Sequence, residues 1–595
     1  MIKERIAKLV KLMEENNFDA YIIPSSDFHQ SEYVADYFKS REFISGFTGS
    51  AGTVVITKTG KHGLWTDGRY FLQAEKELEG SGIDLFKMHM PGVKTYEKWL
   101  FDNLKEDSVI GIDGRLFSIE KVMEFEEVLE EKFIEIDSSM DLIDEIWEDR
   151  PSLPDDEIFV HDIKYAGKTI IEKLEEVRNE MEEKFADTFI LSSLDDIAWL
   201  YNLRGSDVHN NPVFLAYTVI TKDEAILYVD AKKLNKEANK QLEDNNIIIR
   251  EYSEVFDYVQ EISISKILLS SKKTSYYMLE KIDESNDVID EIDITTELKA
   301  IKNDVEINNL RNVFVKDGVA MVKFLYWLDK SVGNEIITEV SAADKLQSFR
   351  KEQDLYQQDS FDYISGYEKN GAIIHYFAKK ETCATLKAKG LYLIDSGGQY
   401  YDGTTDITRT VVLGEITEEQ ISDFTITLMG HIDLASAKFL EGTYGANLDI
   451  LARKPFWDRG LDYKHGTGHG VGFYLNVHEG PQSISRYLIP VTLKKGMLTS
   501  NEPGMYRAGK HGIRIESLVL VDDYKETEFG KFMKFDTLTL CPIDIRAIDE
   551  KMMTKTQIDW LNEYHKEVYE KLGKYLGNAE KEWLKEMTKE INISK

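Results

Sequence analysis

Ile2, Ile6, Leu9, Val10 and Met13 recur at helical spacing, and the run DAYIIPSS that follows is short and apolar at its centre. This pattern predicts an amphipathic helix and then a buried strand. Further on, REFISGFTGSAGTVVITKTGKHGLWTDGRYFL alternates strand-like runs with glycine-rich turns. Gly46, Gly49 and Gly52 read as turn residues between strands in preference to an anion-binding loop. Residues 148–157, EDRPSLPDDE, are polar with two prolines and read as a linker. Beyond it the opening pattern returns. A charged amphipathic helix precedes DTFILSS as one precedes DAYIIPSS, and Ile220-Thr221-Lys222 echoes Ile56-Thr57-Lys58 at a nearly equal offset. The reading is two divergent copies of one α/β module, residues 1–150 and 151–301.

In the second copy, Ile197, Trp199, Leu200 and Leu203 read as the core of a helix, and Arg204 to Pro212 as a polar loop of the kind that carries binding residues. His209 in that loop reads as an exposed histidine without a role. Near Ile301 a new domain begins, 302–595. Asn303 or Asp304 caps a helix over Glu306 to Leu328, whose Ile307, Leu310, Val313 and Phe314 start a long apolar stripe continued by Met321 and Trp327. Mixed helices and strands then run to about residue 540, predicting an α+β domain with a curved sheet. Ile558, Trp560, Leu561, Val568, Leu572, Leu576 and Trp583 predict two closing amphipathic helices, packed on this domain or on a second subunit.

Within 391–518 the strand pattern carries chemistry. Apolar runs at Leu391 to Ile394 and Ile407 to Leu413 flank QYYDG and predict a hairpin centred near Tyr400 and Tyr401, with Asp395 and Asp406 face to face. Glu502 and Glu516 stand symmetrically about Gly509 in the loop MYRAGKHG and predict a second such pair. Four carboxylates beside apolar strands cannot all stay ionised, since burial and like charge both raise their pKa values. Two divalent cations cancel them. With His469 of HGTGHGVG as one imidazole among oxygens, the donor set favours manganese, with zinc or cobalt as alternatives, over a cysteine-bound structural zinc. Paired cations that share a water make a hydrolase. HGTGHGVG lacks the ending of a phosphate loop, and its glycines disfavour a helix carrying His465 and His469 as a metal pair.

Composition narrows the partners. The 595 residues hold 73 Lys and Arg against 107 Asp and Glu, a net charge of −34, which excludes nucleic acid as a general partner. Two cysteines, Cys383 and Cys541, read as free thiols and not as a disulfide framework. The first residues are charged throughout, without the apolar core of a signal peptide, and no run approaches the roughly 18 apolar residues of a membrane span. The expectation is a cytoplasmic protein with no membrane partner.

The order Asp395, Asp406, His469, Glu502, Glu516 in the contexts LIDSGG, TTDITRT, HGTGHG, SNEPGMY and IRIESLV resembles the pita-bread metallopeptidases. Length and N-terminal pattern resemble the long, three-domain aminopeptidase P (Xaa-Pro aminopeptidase) group among them. The resemblance implies two creatinase-like N-terminal α/β domains, then a pita-bread α+β catalytic domain with a C-terminal helical extension. It implies those five residues as metal ligands and Glu502 as general base and proton shuttle. His478 would stabilise the tetrahedral intermediate or contact the substrate carbonyl, while His375 and His465 would shape the substrate pocket. Trp65, Asp67, Arg69 and Tyr70 in LWTDGRYFL match the family's N-terminal domain, and Arg69 would help close the active site. Arg514, on the strand face of Glu516, would hold the ligand shell in place. The implied substrates are peptides with proline second, and the implied assembly is a homodimer with Trp457 or the closing helices at its interface. A bond before proline is a tertiary amide without an N–H, so a peptidase that grips that N–H loses a contact there. The alternatives are a prolidase-like dipeptidase, a peptidase-fold scaffold without activity, and a creatinase-like hydrolase without metals.

Overall fold

The structure, a computed structural model, describes residues 2–592. It divides into two compact units, Met1–His161 with Lys168–Thr295, and Asp162–Gly167 with Thr296–Lys595.

The first unit contains the duplicated module. The helix Ile2–Glu15 buries Ile6, Leu9 and Met13 and leads into the strand Ala20–Pro24, as the apolar spacing predicts. That strand pairs antiparallel with Thr53–Thr57, which pairs antiparallel with His62–Thr66; parallel strands flank this centre on both sides and complete a six-stranded sheet. The second copy opens on Ile170–Glu183, a helix of the same length. Its sheet, centred on Thr188–Leu191, Tyr217–Thr221 and Ala225–Tyr228, repeats the strand order and every parallel or antiparallel pairing of the first. Gly46 ends the helix Ser40–Ser45 at φ 75°, a conformation that excuses glycine from the Cβ clash of other residues.

Two details depart from the sequence reading. Leu203 leaves the helix Leu194–Leu200 and sits in the short strand Leu203–Arg204, paired with Phe159–Val160. The polar loop after it is largely buried. Arg204 donates to the carbonyls of Ala198 and Leu203, and Lys233 is paired with the buried Asp207. His209 is exposed.

In the second unit, Asn303 and Glu306 form a reciprocal capping box on the 28-residue helix Asp304–Ser331, worth about 1 kcal/mol. Met321 is buried and Trp327 packs beside it. Residues 162–167 join this unit, which the linear pattern does not indicate: Asn303 and Asn309 donate to the carbonyls of Ala166 and Lys164, and Tyr165 stacks on Tyr401. A six-stranded sheet carries the strands Gly468–Gly470, Glu479–Ile484, Leu498–Asn501 and Ser517–Thr527. A three-stranded sheet carries Ile364–Tyr367, Leu391–Ser396 and Ile407–Val412. The helices Lys555–Leu572 and Asn578–Met587 bury Ile558, Leu561, Val568, Leu572 and Leu584 against the core of this same unit. Both cysteines are free, Cys541 buried. Among the described residues no helix is long and apolar enough to cross a membrane.

Candidate metal centre

Two hairpins build the site. In the first, Leu391–Ser396 pairs with Ile407–Val412 so that Asp395 lies opposite Thr408, and the ladder continues through Gln399↔Thr404 and Tyr400↔Gly403. The expectation that Asp395 directly faces Asp406 is therefore corrected. The turn residues are Tyr401 and Asp402, one position further along than the expected centre at Tyr400 and Tyr401. Lys316, from the long helix, holds both carboxylate oxygens of Asp402 at 2.7 Å and fixes that turn. Asp406 becomes the diagonal neighbour of Asp395 on the same face, a separation that side chains still span.

The second hairpin follows the predicted symmetry. Leu498↔Leu520, Asn501↔Ser517 and Gly504↔Arg514 all turn about Gly509, which takes φ 73°. Glu502 and Glu516 sit opposite each other at the break between its two ladders. Cross-links join the hairpins: Glu516 N–H donates to the Thr408 carbonyl (3.1 Å), and the Thr408 hydroxyl donates to Glu516 Oε2 (2.8 Å).

His469 lies on the strand Gly468–Gly470, fixed by a bond from its N–H to Ser500 Oγ. Its Nδ1 is 2.9 Å from the Gly470 carbonyl, which can only accept, so the proton is on Nδ1 and the Nε2 lone pair is turned toward the acids. Nε2 is 3.6 Å from Asp406 and 3.5 Å from Glu502. Ligand atoms of Asp395, Asp406 and Glu516 lie within 4.8 Å of one another, as do those of His469, Glu502 and Glu516, and those of Asp406, His469 and His478. The His478 ring is 4.4 Å from that of His469.

Electrostatics show what this convergence costs. Burial first, then the neighbouring carboxylates, push Asp406 and Glu516 well above the ordinary carboxylate range. Burial pushes Glu502 up to about 7, with Arg514 opposing and Asp395 adding. Asp395 Oδ1 and Asp406 Oδ1 are buried without a hydrogen-bond partner. Orphaned carboxylate oxygens facing one another are a set that cations fit.

Arg514 brings a guanidinium into the group, where it holds Asp395. Its Nη2 donates to Asp395 Oδ2 (2.5 Å), Nε to Thr408 Oγ1 (3.0 Å) and Nη1 to Tyr506 Oη (2.8 Å). Since Tyr506 Oη accepts from Arg514, its own proton goes to His465 Nε2 (2.9 Å), and His465 Nδ1 donates to the Gly466 carbonyl. Burial and then Arg514 depress His465 to about 3, so it stands neutral. Sequence reasoning missed Tyr506, Thr408 and Ser500. Their partners lie across hairpins, and hydroxyl residues in strands carry no local mark of that duty.

The remaining candidates are placed as follows. His375 lies in the segment after the short 3₁₀ helix Glu368–Ala372, partly buried. Trp457 is 46% exposed, with its indole N–H donating to Asp462. Arg69 belongs to the first unit and is held bidentately by Asp67 at 2.8 and 2.7 Å, while Trp65 and Tyr70 are core.

Comparisons with known proteins now bear on the site. Metallopeptidase family M24 matches residues 308–523, the C-terminal region of peptidase M24 matches 531–591, and the creatinase/prolidase N-terminal domain matches twice, over 5–146 and 149–306. The probable Xaa-Pro aminopeptidase P of Laccaria bicolor is 43% identical over 98% of this chain and 92% of its own length. The chain belongs to the aminopeptidase P family. The crystal structure of the Caenorhabditis elegans X-prolyl aminopeptidase, described as a cytosolic enzyme with a di-nuclear active site, is 36% identical, with a TM-score of 0.95 over 99% of this chain and all of that one. The Xaa-Pro dipeptidase of Bacillus anthracis, 22% identical, shares the fold over only 63% of this chain, with a TM-score of 0.51. As an aminopeptidase P, the protein is a hydrolase of the M24 metallopeptidases, with creatinase-type N-terminal domains ahead of a pita-bread domain.

Proposed function

We propose that this aminopeptidase P removes an N-terminal residue from peptides whose second residue is proline. It would do so with two divalent cations held by Asp395, Asp406, His469, Glu502 and Glu516 in a catalytic domain spanning 302–595, behind N-terminal domains 1–150 and 151–301. The observation that carries the reading is the convergence of four carboxylates and one imidazole, with buried oxygens left orphaned, in a chain related over its whole length to Xaa-Pro aminopeptidases. The oxygen-rich donors favour manganese. The cations supply Lewis acidity toward the scissile carbonyl and the attacking water.

The chain's own groups do the rest. Glu502 takes the proton of the attacking water and passes it to the leaving proline nitrogen. His478, beside His469, donates to the oxygen that gains charge at the scissile carbonyl. His375 and the neutral His465 wall the pocket for the substrate, and Arg514 keeps Asp395 aimed. The cytosolic relative supports a cytoplasmic setting.

Metal analysis of the purified protein, with cleavage of an Xaa-Pro tripeptide measured against an Xaa-Pro dipeptide, tests this. Two equivalents of metal and tripeptide cleavage are expected; a metal-free protein inert after manganese addition, or one cutting only the dipeptide, sinks it. The half-exposed Trp457 supports a homodimer. Sedimentation is expected to give twice the 68.6 kDa chain, and a monomer at micromolar concentration refutes that part.

A further inference from the structure

His375 sits in the segment 370–384, which has no regular structure beyond the 3₁₀ turn at its start, and one buried side chain gathers both ends of it. Glu339, in the helix Glu339–Lys351, is fully buried. Its Oε1 accepts from Tyr367 N–H (2.7 Å) and Asn370 Nδ2 (2.8 Å); its Oε2 accepts from the Tyr376 hydroxyl (2.9 Å) and Ala384 N–H (2.7 Å). Four neutral donors fill the acceptor sites of this carboxylate. Such a group is stable in the interior only when every donor is present. Two of the donors lie before His375 in the chain and two after it, Tyr376 being its immediate neighbour.

The base of the segment is also docked on the second site hairpin. Glycines allow this: a Cβ on Gly512 would lie 1.7 Å from the Gly371 carbonyl oxygen, and one on Gly366 2.8 Å from Gly371 backbone. Gly512 is two residues before Arg514, and Ile364, which starts the strand leading into the segment, lies opposite Asp395. The strand, the glycine contact and the carboxylate clamp together fix the backbone on either side of His375.

We propose that Glu339 is a positioning residue for substrate binding, its carboxylate clamping the 370–384 segment so that His375 is held in the pocket wall. This rests on the role of His375 given above.

A double-mutant cycle tests it. Tyr376→Phe removes one of the four donors at little cost in volume, and His375→Ala removes the side chain being positioned. Loss of one hydrogen bond to a buried charge should raise KM for an Xaa-Pro tripeptide about five-fold in Tyr376→Phe, with kcat and bound metal nearly unchanged. In the His375→Ala background the same change should have almost no further effect on KM. Glu339→Gln, which turns an amide NH2 toward two donors, should reproduce the KM effect more strongly. If His375→Ala raises KM but Tyr376→Phe adds to it independently, or leaves KM alone, the clamp is only structural and the proposal fails. If His375→Ala itself has no effect, the pocket role of His375 fails instead.

Discussion

At the scale of single residues, the site rests on neutralising buried acids. Glu502→Gln keeps the shape and removes the base, so kcat should fall about a thousand-fold with an unchanged circular dichroism spectrum. Asp406→Asn and His469→Ala should in addition lose metal on dialysis, read by elemental analysis. Full turnover in Glu502→Gln would remove it from the mechanism. The acids and His469 were legible because each stands in a distinctive local context. Tyr506 and Thr408 were not, since what makes them functional is a hydrogen bond to a residue on another strand. The same holds for Arg514, whose strand face was readable but whose partner, Asp395, lies 119 positions away.

At the scale of elements, the two hairpins show where local symmetry suffices. The loop MYRAGKHG has one glycine at its centre, and the register turns about it as expected. QYYDG has no such mark, and its turn is displaced by a lysine 86 residues earlier that ties down Asp402. The displacement leaves Gly397 opposite the Asp406 end of the ladder. A Cβ there would lie 2.0 Å from the Thr405 carbonyl oxygen and 2.1 Å from Ser360 Oγ. Gly397→Ala should therefore push the two aspartates apart, weakening metal binding at least ten-fold and costing about 2 kcal/mol of stability. Isothermal titration with manganese and urea unfolding read these; unchanged values would show the strand yields more easily than its packing implies. The helices and the repeated N-terminal module were legible from periodicity alone, because burial there follows one face.

At the scale of the whole molecule, metal and acidity are linked. In the apo protein Glu502 titrates near 7 against an ordinary value of 4.5, and Asp406 and Glu516 are raised in the same direction. A raised folded-state pKa means the folded chain holds protons the unfolded chain has released. Stability from these groups is present below about pH 4.5 and is lost as the pH climbs through 7. Chelation should accordingly lower Tm more at pH 7.5 than at pH 5, by scanning calorimetry with and without EDTA; an equal or reversed difference would mean the acids are not crowded. The division of the chain carries one more consequence. Residues 162–167 belong to the unit that resumes at Thr296, so the backbone changes unit at three places and not one. No single proteolytic cut liberates an intact half, and an engineer seeking a minimal peptidase would have to splice this hexapeptide onto the later portion or leave the tyrosine stack at Tyr401 missing one of its rings.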